Sequence, residues 1–202
     1  MRPQSPARPL LIVVSAPSGA GKTTLCDRLL AERGDVVYSV SCTTRLPRGA
    51  EVDGQDYHFL SEQEFQARVK RGEFLEHATV HGHHYGTLRR TVEEALRAGR
   101  AVLMDIDVQG AARIRDQVQR AGEGDILKQG WVDIFVAPPS MEALRERLEK
   151  RGEDSAEEIQ RRLRNAVEEM HRSGEYKYVL VNDNLDSAYA RLAAIVDREG
   201  RF

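Results

Sequence analysis

The stretch that most constrains this chain is the junction at residues 10–33. An unbroken apolar run, Leu10-Leu-Ile-Val-Val14, leads into Ala16-Pro-Ser-Gly-Ala-Gly21-Lys22-Thr23-Thr24 and then into a helical pattern over Thr23–Arg33. An apolar run without polar alternation is what a strand covered on both faces of a parallel sheet requires. The turn after it follows G-x-x-x-x-G-K-[ST], with Ala16 in place of the first glycine. Gly19 and Gly21 let backbone N–H groups point inward around an anion, and the following helix offers the positive end of its dipole. Lys22 adds a full charge, and the Thr23 hydroxyl is suited to ligate Mg²⁺. A glycine-rich turn in an ordinary strand–helix unit is the competing reading, but it gives Lys22 no purpose. Ala16, Pro17, Ser18, Gly19, Ala20, Gly21, Lys22, Thr23 and Thr24 are therefore the candidate phosphate-binding residues.

The same strand pattern recurs at 101–104, 132–136 and 178–181, with helical patterns at 89–98, 108–120, 140–150, 156–173 and 185–199. This alternation predicts an α/β fold, a P-loop NTPase-type three-layer sandwich with a mainly parallel sheet. Residues 36–88 break the alternation and read as an inserted small subdomain. Their one helix is expected over 61–71, with Ser61 as N-cap and Glu64 completing a capping box. The core is thus expected to comprise residues 10–35 and 89–202. Residues 1–9, with three prolines and two arginines, read as a flexible leader. The charged stretch 150–160 interrupts two helices and suggests a lid over 146–160. Asp105 closes the run Val102-Leu-Met104, where a carboxylate can orient Mg²⁺ or its waters, and Asp107 follows two residues later. Either one can instead cap the helix that begins near Val108.

Composition narrows the partners. The 202 residues carry 30 basic and 32 acidic side chains, a net charge of −2, so nothing draws the chain as a whole to nucleic acid or to an anionic membrane. Only 5 of the basic residues are lysines, which makes a lone Lys more informative than a lone Arg. No apolar run is long enough to span a bilayer, so a cytoplasmic address is expected. Cys26 and Cys42 are read as reduced thiols.

A second group of residues surrounds this framework. Ser39–Phe59 sets Arg45 and Arg48 in a bent loop before Tyr57, and two guanidinium forks with a phenol can enclose one phosphate. In order along the chain come Glu76, Tyr85-Gly-Thr87, Asp105–Gly110, Ala137-Pro-Pro-Ser140 and Val181-Asn182-Asp183. From about Leu10 to about Ile195 the sequence resembles the guanylate kinases. The resemblance implies transfer of phosphate from ATP to GMP or dGMP with Mg²⁺, in purine nucleotide metabolism. It implies GMP-phosphate contacts at Arg45, Arg48, Tyr57 and Tyr85 and guanine contacts at Ser41, Glu76 and Thr87, with Asp107 beside the GMP site. It also implies phosphate-clamping arginines at Arg147, Arg151 and Arg162, with Asn182 beside the adenine of ATP. The chemistry of Glu76 agrees independently, because guanine offers N1–H and N2–H₂ donors to an acceptor-only carboxylate whereas adenine would turn the N1 lone pair to it. A kinase of another small phosphorylated acceptor and a peptide-binding scaffold module are the other readings. The Arg45/Arg48/Tyr57 and Glu76 set argues against the first, and the intact Lys22 loop against the second.

Two stretches depart from the family pattern. His77, His81, His83 and His84 cluster within eight residues, with no carboxylate or Cys at ligand spacing to complete a metal site. Residues 115–131 are longer than expected and read as a surface extension anchored by Ile126, Leu127 and Trp131.

Overall fold

The computed structural model describes residues 8–80, 82–152 and 154–200. The expected leader lies outside the described residues up to residue 7, as do His81 and the Arg151 side chain. In chain order the elements are β1 (Leu11–Ser15), α1 (Lys22–Glu32), β2 (Val36–Tyr38), β3 (Cys42–Thr43), β4 (His58–Phe59), α2 (Glu62–Lys70), β5 (Phe74–Val80), β6 (His83–Leu88) and α3 (Arg89–Arg97). They continue with β7 (Ala101–Asp105), α4 (Val108–Arg120), α5 (Ile126–Gln129), β8 (Trp131–Ala137), α6 (Met141–Arg151), α7 (Ala156–His171), β9 (Tyr178–Val181) and α8 (Leu185–Glu199).

Five strands form an all-parallel sheet in the order β2-β7-β1-β8-β9. Its centre is the first apolar run, whose residues 11–14 are all fully buried. Alternate side chains of β1 serve two separate cores. Ile12 and Val14 pack with Leu25, Leu29, Leu192 and Val196 from α1 and α8, while Leu11 and Val13 pack with Leu96, Ile114 and Val118 from α3 and α4. Helices therefore cover both faces, which is why the strands read as continuous hydrophobic runs. Val14 lies in register with Asp105, so the loop after β1 and the end of β7 emerge side by side at the carboxyl edge of the sheet, where open α/β sheets form their crevices.

The other four strands form a smaller sheet in the order β4-β3-β6-β5, with α2 packed on it through Phe65, which stacks on Phe74 at 4.5 Å between ring centroids. Residues 36–38, read from the sequence as the start of the inserted segment, belong to the larger sheet instead. Val36 is buried and pairs with Ala101, an edge role that a three-residue strand fills without a long apolar run. Ser61 caps α2 by accepting the Glu64 N–H at 3.1 Å. The Glu64 carboxylate pairs with Arg68 at 2.8 Å.

The 115–131 stretch holds the end of α4 and the single turn α5, capped by Asp125. Leu127 is buried against the β1–α4 core, with Ile126 and Trp131 beside it. Gly130 accepts the Leu11 N–H at 2.9 Å, and a Cβ on it would stand 2.2 Å from the Pro9 carbonyl oxygen. Two of the described histidines, His77 and His84, pack beside the Phe65 ring. His84 stacks on Phe65 at 5.2 Å and reaches Glu62, Gln66 and Thr79, and among the described residues no three His, Cys, Asp or Glu side chains converge as a metal site. Both cysteines are free and buried, and burial pushes the Cys26 thiol up to about 12 and the Cys42 thiol up to about 11.

One buried charge ties the second core together. Asp133 on β8, 2% exposed, accepts from Arg115 Nε and Nη2 and from the Lys177 N–H, while Arg115 lies 4.6 Å over the Tyr176 ring. Removing the carboxylate strands the Lys177 N–H and leaves Arg115 Nε and Nη2 without their acceptor, with only Nη1 still held by Glu175. Asp133→Ala is expected to lower stability by about 3–5 kcal/mol, the range for breaking one side of a buried pair. Urea unfolding followed by tryptophan fluorescence and circular dichroism measures it, and a loss below about 1 kcal/mol would contradict the buried-pair account.

Candidate active site

The loop after β1 is shaped by two glycines and held from behind by two other chain segments. Gly19 and Gly21 have φ of 90° and 92°, the left-handed region that side chains strain to adopt. Gly21 is also crowded, since a Cβ there would stand 2.3 Å from Asn182 Nδ2. Asn182, just past β9 and 5% exposed, donates its amide to the Ala20 carbonyl at 2.8 Å and its backbone N–H to Ala137 at 2.8 Å. Arg147 on α6 donates to the Asn182 carbonyl at 2.8 Å and to Ala20 at 3.4 Å. At Gly19 a Cβ would meet Leu148 Cδ2 at 3.0 Å, so α6 lies flush on the loop. Arg162 on α7 donates to Ser18 Oγ at 3.2 Å and pairs with Asp154 at 2.9 Å.

In front of the loop lies a cavity of about 520 Å³, lined by Ala16–Gly19, Gly21–Thr24, Asp107, Arg147 and Glu169. Thr23 and Thr24 are exposed to it, whereas Ala20 and Asn182 sit behind the wall. Lys22 Nζ forms an ion pair with Asp105. Burial lowers the Lys22 pKa, opposed by the fields of Cys26, Asp107 and Glu169. Glu169 faces Lys22 from α7, and burial with the Asp107 field pushes it up to about 6. Nothing in the sequence singled it out, because it sits in the polar run Glu168-Glu169 of an amphipathic helix.

A second, smaller cavity of about 180 Å³ opens between the two sheets, lined by Tyr38, Ser41, Tyr57, Glu76, Ala78, Val80, Tyr85, Asp105, Ile106 and Asp107. Glu76 on β5 is 7% exposed. Its Oε1 accepts from Thr87 Oγ1 at 3.2 Å, and Thr87 in turn lies 3.4 Å from Ser41 Oγ. Burial is the main cause that pushes Glu76 up to about 7, with Thr87 and Arg113 pulling down and Asp107 pushing up. Gly110 leaves the room this needs, since a Cβ there would stand 3.1 Å from Glu76 Oε2. Tyr38 and Arg113 were not identified from the sequence. Tyr38 closes the short strand β2, and Arg113 is one arginine among many.

Arg45, 7% exposed, lies 5.1 Å over the Tyr57 ring and grips Glu51 with two hydrogen bonds of 2.7 and 2.8 Å. The Arg48 N–H also donates to Glu51, at 2.7 Å, and together these hold the Glu51 carboxyl down to about 2. The Arg48 side chain is exposed and is not part of the cavity wall. Asp107 belongs to both cavities, and it also caps α4 by accepting the Gly110 N–H at 2.7 Å. The capping reading of this residue is thus realised, and the same carboxylate lines both cavities.

All of these residues fall within residues 8–199, which match the family model described as guanylate kinase. The chain belongs to the guanylate kinase family. It is 50% identical over 191 residues to the guanylate kinase of Anaeromyxobacter dehalogenans, covering 94% of this chain and 80% of that one. To the guanylate kinase of Clostridium perfringens strain SM101 it is 44% identical over 189 residues, covering 94% and 83%. The crystal structure of guanylate kinase from Anaplasma phagocytophilum matches with a TM-score of 0.73 at 31% identity, covering 98% of this chain and 88% of that one.

The loop geometry yields a direct expectation for nucleotide affinity. Gly21→Ala forces a Cβ into both an unfavourable φ and the Asn182 amide, so the affinity for a nucleoside triphosphate analogue should fall at least about tenfold, equivalent to about 1.4 kcal/mol. Titration calorimetry measures it. Unchanged affinity would mean that the Ala20–Asn182 tie does not set the loop's shape.

Proposed function

We propose that the chain transfers the terminal phosphoryl group of ATP to GMP, giving ADP and GDP, with ATP in the larger cavity and GMP in the smaller. Membership of the guanylate kinase family carries the activity. The observation that carries the assignment of the cavities is that a glycine loop and a buried carboxylate pocket open on two sides of the same residue, Asp107.

The accepting oxygen belongs to a phosphate that is already anionic, so no general base is required and catalysis reduces to alignment and charge stabilisation. Lys22 and the loop amides bind the triphosphate, with Arg147, Arg151 and Arg162 supplying charge from the α6–α7 side. Lys22 exchanges Asp105 for phosphate as its counter-charge. The hard oxygens of the Thr23 hydroxyl and the Asp105 carboxylate suit Mg²⁺, which when bound neutralises phosphate charge. On the acceptor side Arg45, Arg48, Tyr57 and Tyr85 hold the phosphate of GMP or dGMP. The fork that Arg45 presents to Glu51 is the one a phosphate takes. Ser41, Glu76 and Thr87 read guanine. The small sheet with α2 and the 146–160 lid close over the nucleotides and exclude water, which would otherwise accept the phosphoryl group.

Glu76→Gln keeps the size but removes the charge that accepts both guanine donors, and kcat/KM for GMP should fall about 10- to 1000-fold while the AMP rate holds or rises. IMP, which lacks the N2 amine, should lose less than GMP. An unchanged GMP/AMP ratio would move base reading away from Glu76.

A pH dependence follows with a definite sign. Glu76 is pushed up to about 7, so it is ionised above that pH and protonated below it, where its O–H would meet a guanine donor. KM for GMP should therefore rise as pH falls through 7, with ATP KM following a different profile. Steady-state kinetics from pH 6 to 9 checks this, and parallel profiles for the two substrates would reject it.

A further inference from the structure

Arg113 has no place in the roles above, yet it carries an unmet demand. It lies on α4, six residues beyond the Asp107 cap, and its Nη2 stands 3.8 Å from Glu76 Oε2. Its Nε and Nη2 atoms are buried and make no hydrogen bond. Buried donors of a charged group without acceptors are costly, and such orphans require an explanation. The closest charge is the carboxylate that faces the base cavity, and the absent Cβ of Gly110 lets that carboxylate lie against α4.

We propose that Arg113 is a specificity-determining positioning residue, which backs Glu76 from α4, holds its carboxylate charged and aimed at the guanine edge, and shortens its contact to Oε2 when the base is bound. The inference rests on the reading of Glu76 as the guanine acceptor. The groups facing Glu76 decide its plausibility. Asp107 at the head of α4 and Asp105 at the end of β7 are both carboxylates, the latter paired with Lys22, and Tyr38, Tyr57 and Tyr85 across the cavity are phenols. His77, next to Glu76 on β5, has its pKa lowered by burial and by the Arg113 field. Because Lys22 already answers Asp105, Arg113 is the cation that offsets the Asp107 field on Glu76. It need not touch the nucleotide.

The experiment compares the wild type with Arg113→Gln, Arg113→Lys, Glu76→Gln and the Glu76→Gln/Arg113→Gln double variant, using kcat and KM for GMP and for ATP from pH 6 to 9. An opposite charge at this distance shifts a carboxyl by about one unit or more. In Arg113→Gln the acid limb of the GMP profile should therefore move up by about one pH unit. KM for GMP should rise about tenfold near pH 6.5 and less than about threefold near pH 9. ATP KM should hold, and kcat at saturating GMP should change less than about threefold. Arg113→Lys should recover most of the shift. In the Glu76→Gln background, Arg113→Gln should add no pH-dependent loss, because its target is gone. Titration of the GMP phosphate is common to all of the proteins and cancels in their ratios.

The failures separate. If Glu76→Gln leaves the GMP/AMP ratio unchanged, the reading of Glu76 falls. If that ratio changes but Arg113→Gln leaves the acid limb in place, or lowers kcat and both KM values alike at every pH, Arg113 is a packing residue and this inference is overturned.

Discussion

The hydrogen bond from the Asn182 amide to the Ala20 carbonyl is the tie on which the site depends. It fixes the turn from which the loop amides fan out, and it needs Gly21 to leave space for it. Arg147 donates to the Ala20 and Asn182 carbonyls from α6, so the loop, the end of β9 and α6 meet at one peptide. A loop with free backbone dihedrals would lose entropy each time it ordered around phosphate. Here that ordering is done in folding, and the buried β1 strand supplies the anchor.

Around that tie most of the functional charges are already engaged. Lys22 faces Asp105, Arg45 faces Glu51, and Arg162 faces Asp154. Each cation is held in position by a carboxylate. Electrostatic attraction is thereby confined to the two cavities, in keeping with a net charge of −2 for the chain. Glu76 differs from these groups. Burial and the Asp107 field push it up to about 7, and its cationic neighbour Arg113 stands 3.8 Å away.

The legibility of the sequence tracked how much local chemistry each element carries. Leu10–Val14 and the loop after it were readable because burial on both faces, positive φ and anion binding each demand particular residue types in consecutive positions. The helices with caps, such as α2 behind Ser61, were readable for the same reason. Val36–Tyr38 was not recognised as part of the larger sheet, because three residues at a sheet edge carry too little pattern to separate them from the loop that follows. At the site, Lys22, Thr23, Arg147 and Asp107 gather around one cavity and Ser41, Tyr57, Glu76, Tyr85 and Asp107 around another, while Arg45, Arg48 and Thr87 lie outside the lining of the second. Tyr38, Arg113 and Glu169 were illegible because each acts through position across the fold. Asn182 is a different kind of case, since its burial turns it to the loop backbone and not to either cavity wall.

The two buried cysteines make the protein its own stability probe. Cys26 sits in the core under α1 and Cys42 in the small cluster with Phe65 and Phe74. Neither thiol is reachable or appreciably ionised in the folded state, so a disulfide reagent can label each only after its surroundings open. The two labelling rates therefore report separately how often the helix behind the phosphate loop and the small sheet come apart. A nucleotide that steadies one half more than the other would slow one rate and leave the other nearly unchanged, which gives the coupling between the halves without any introduced label.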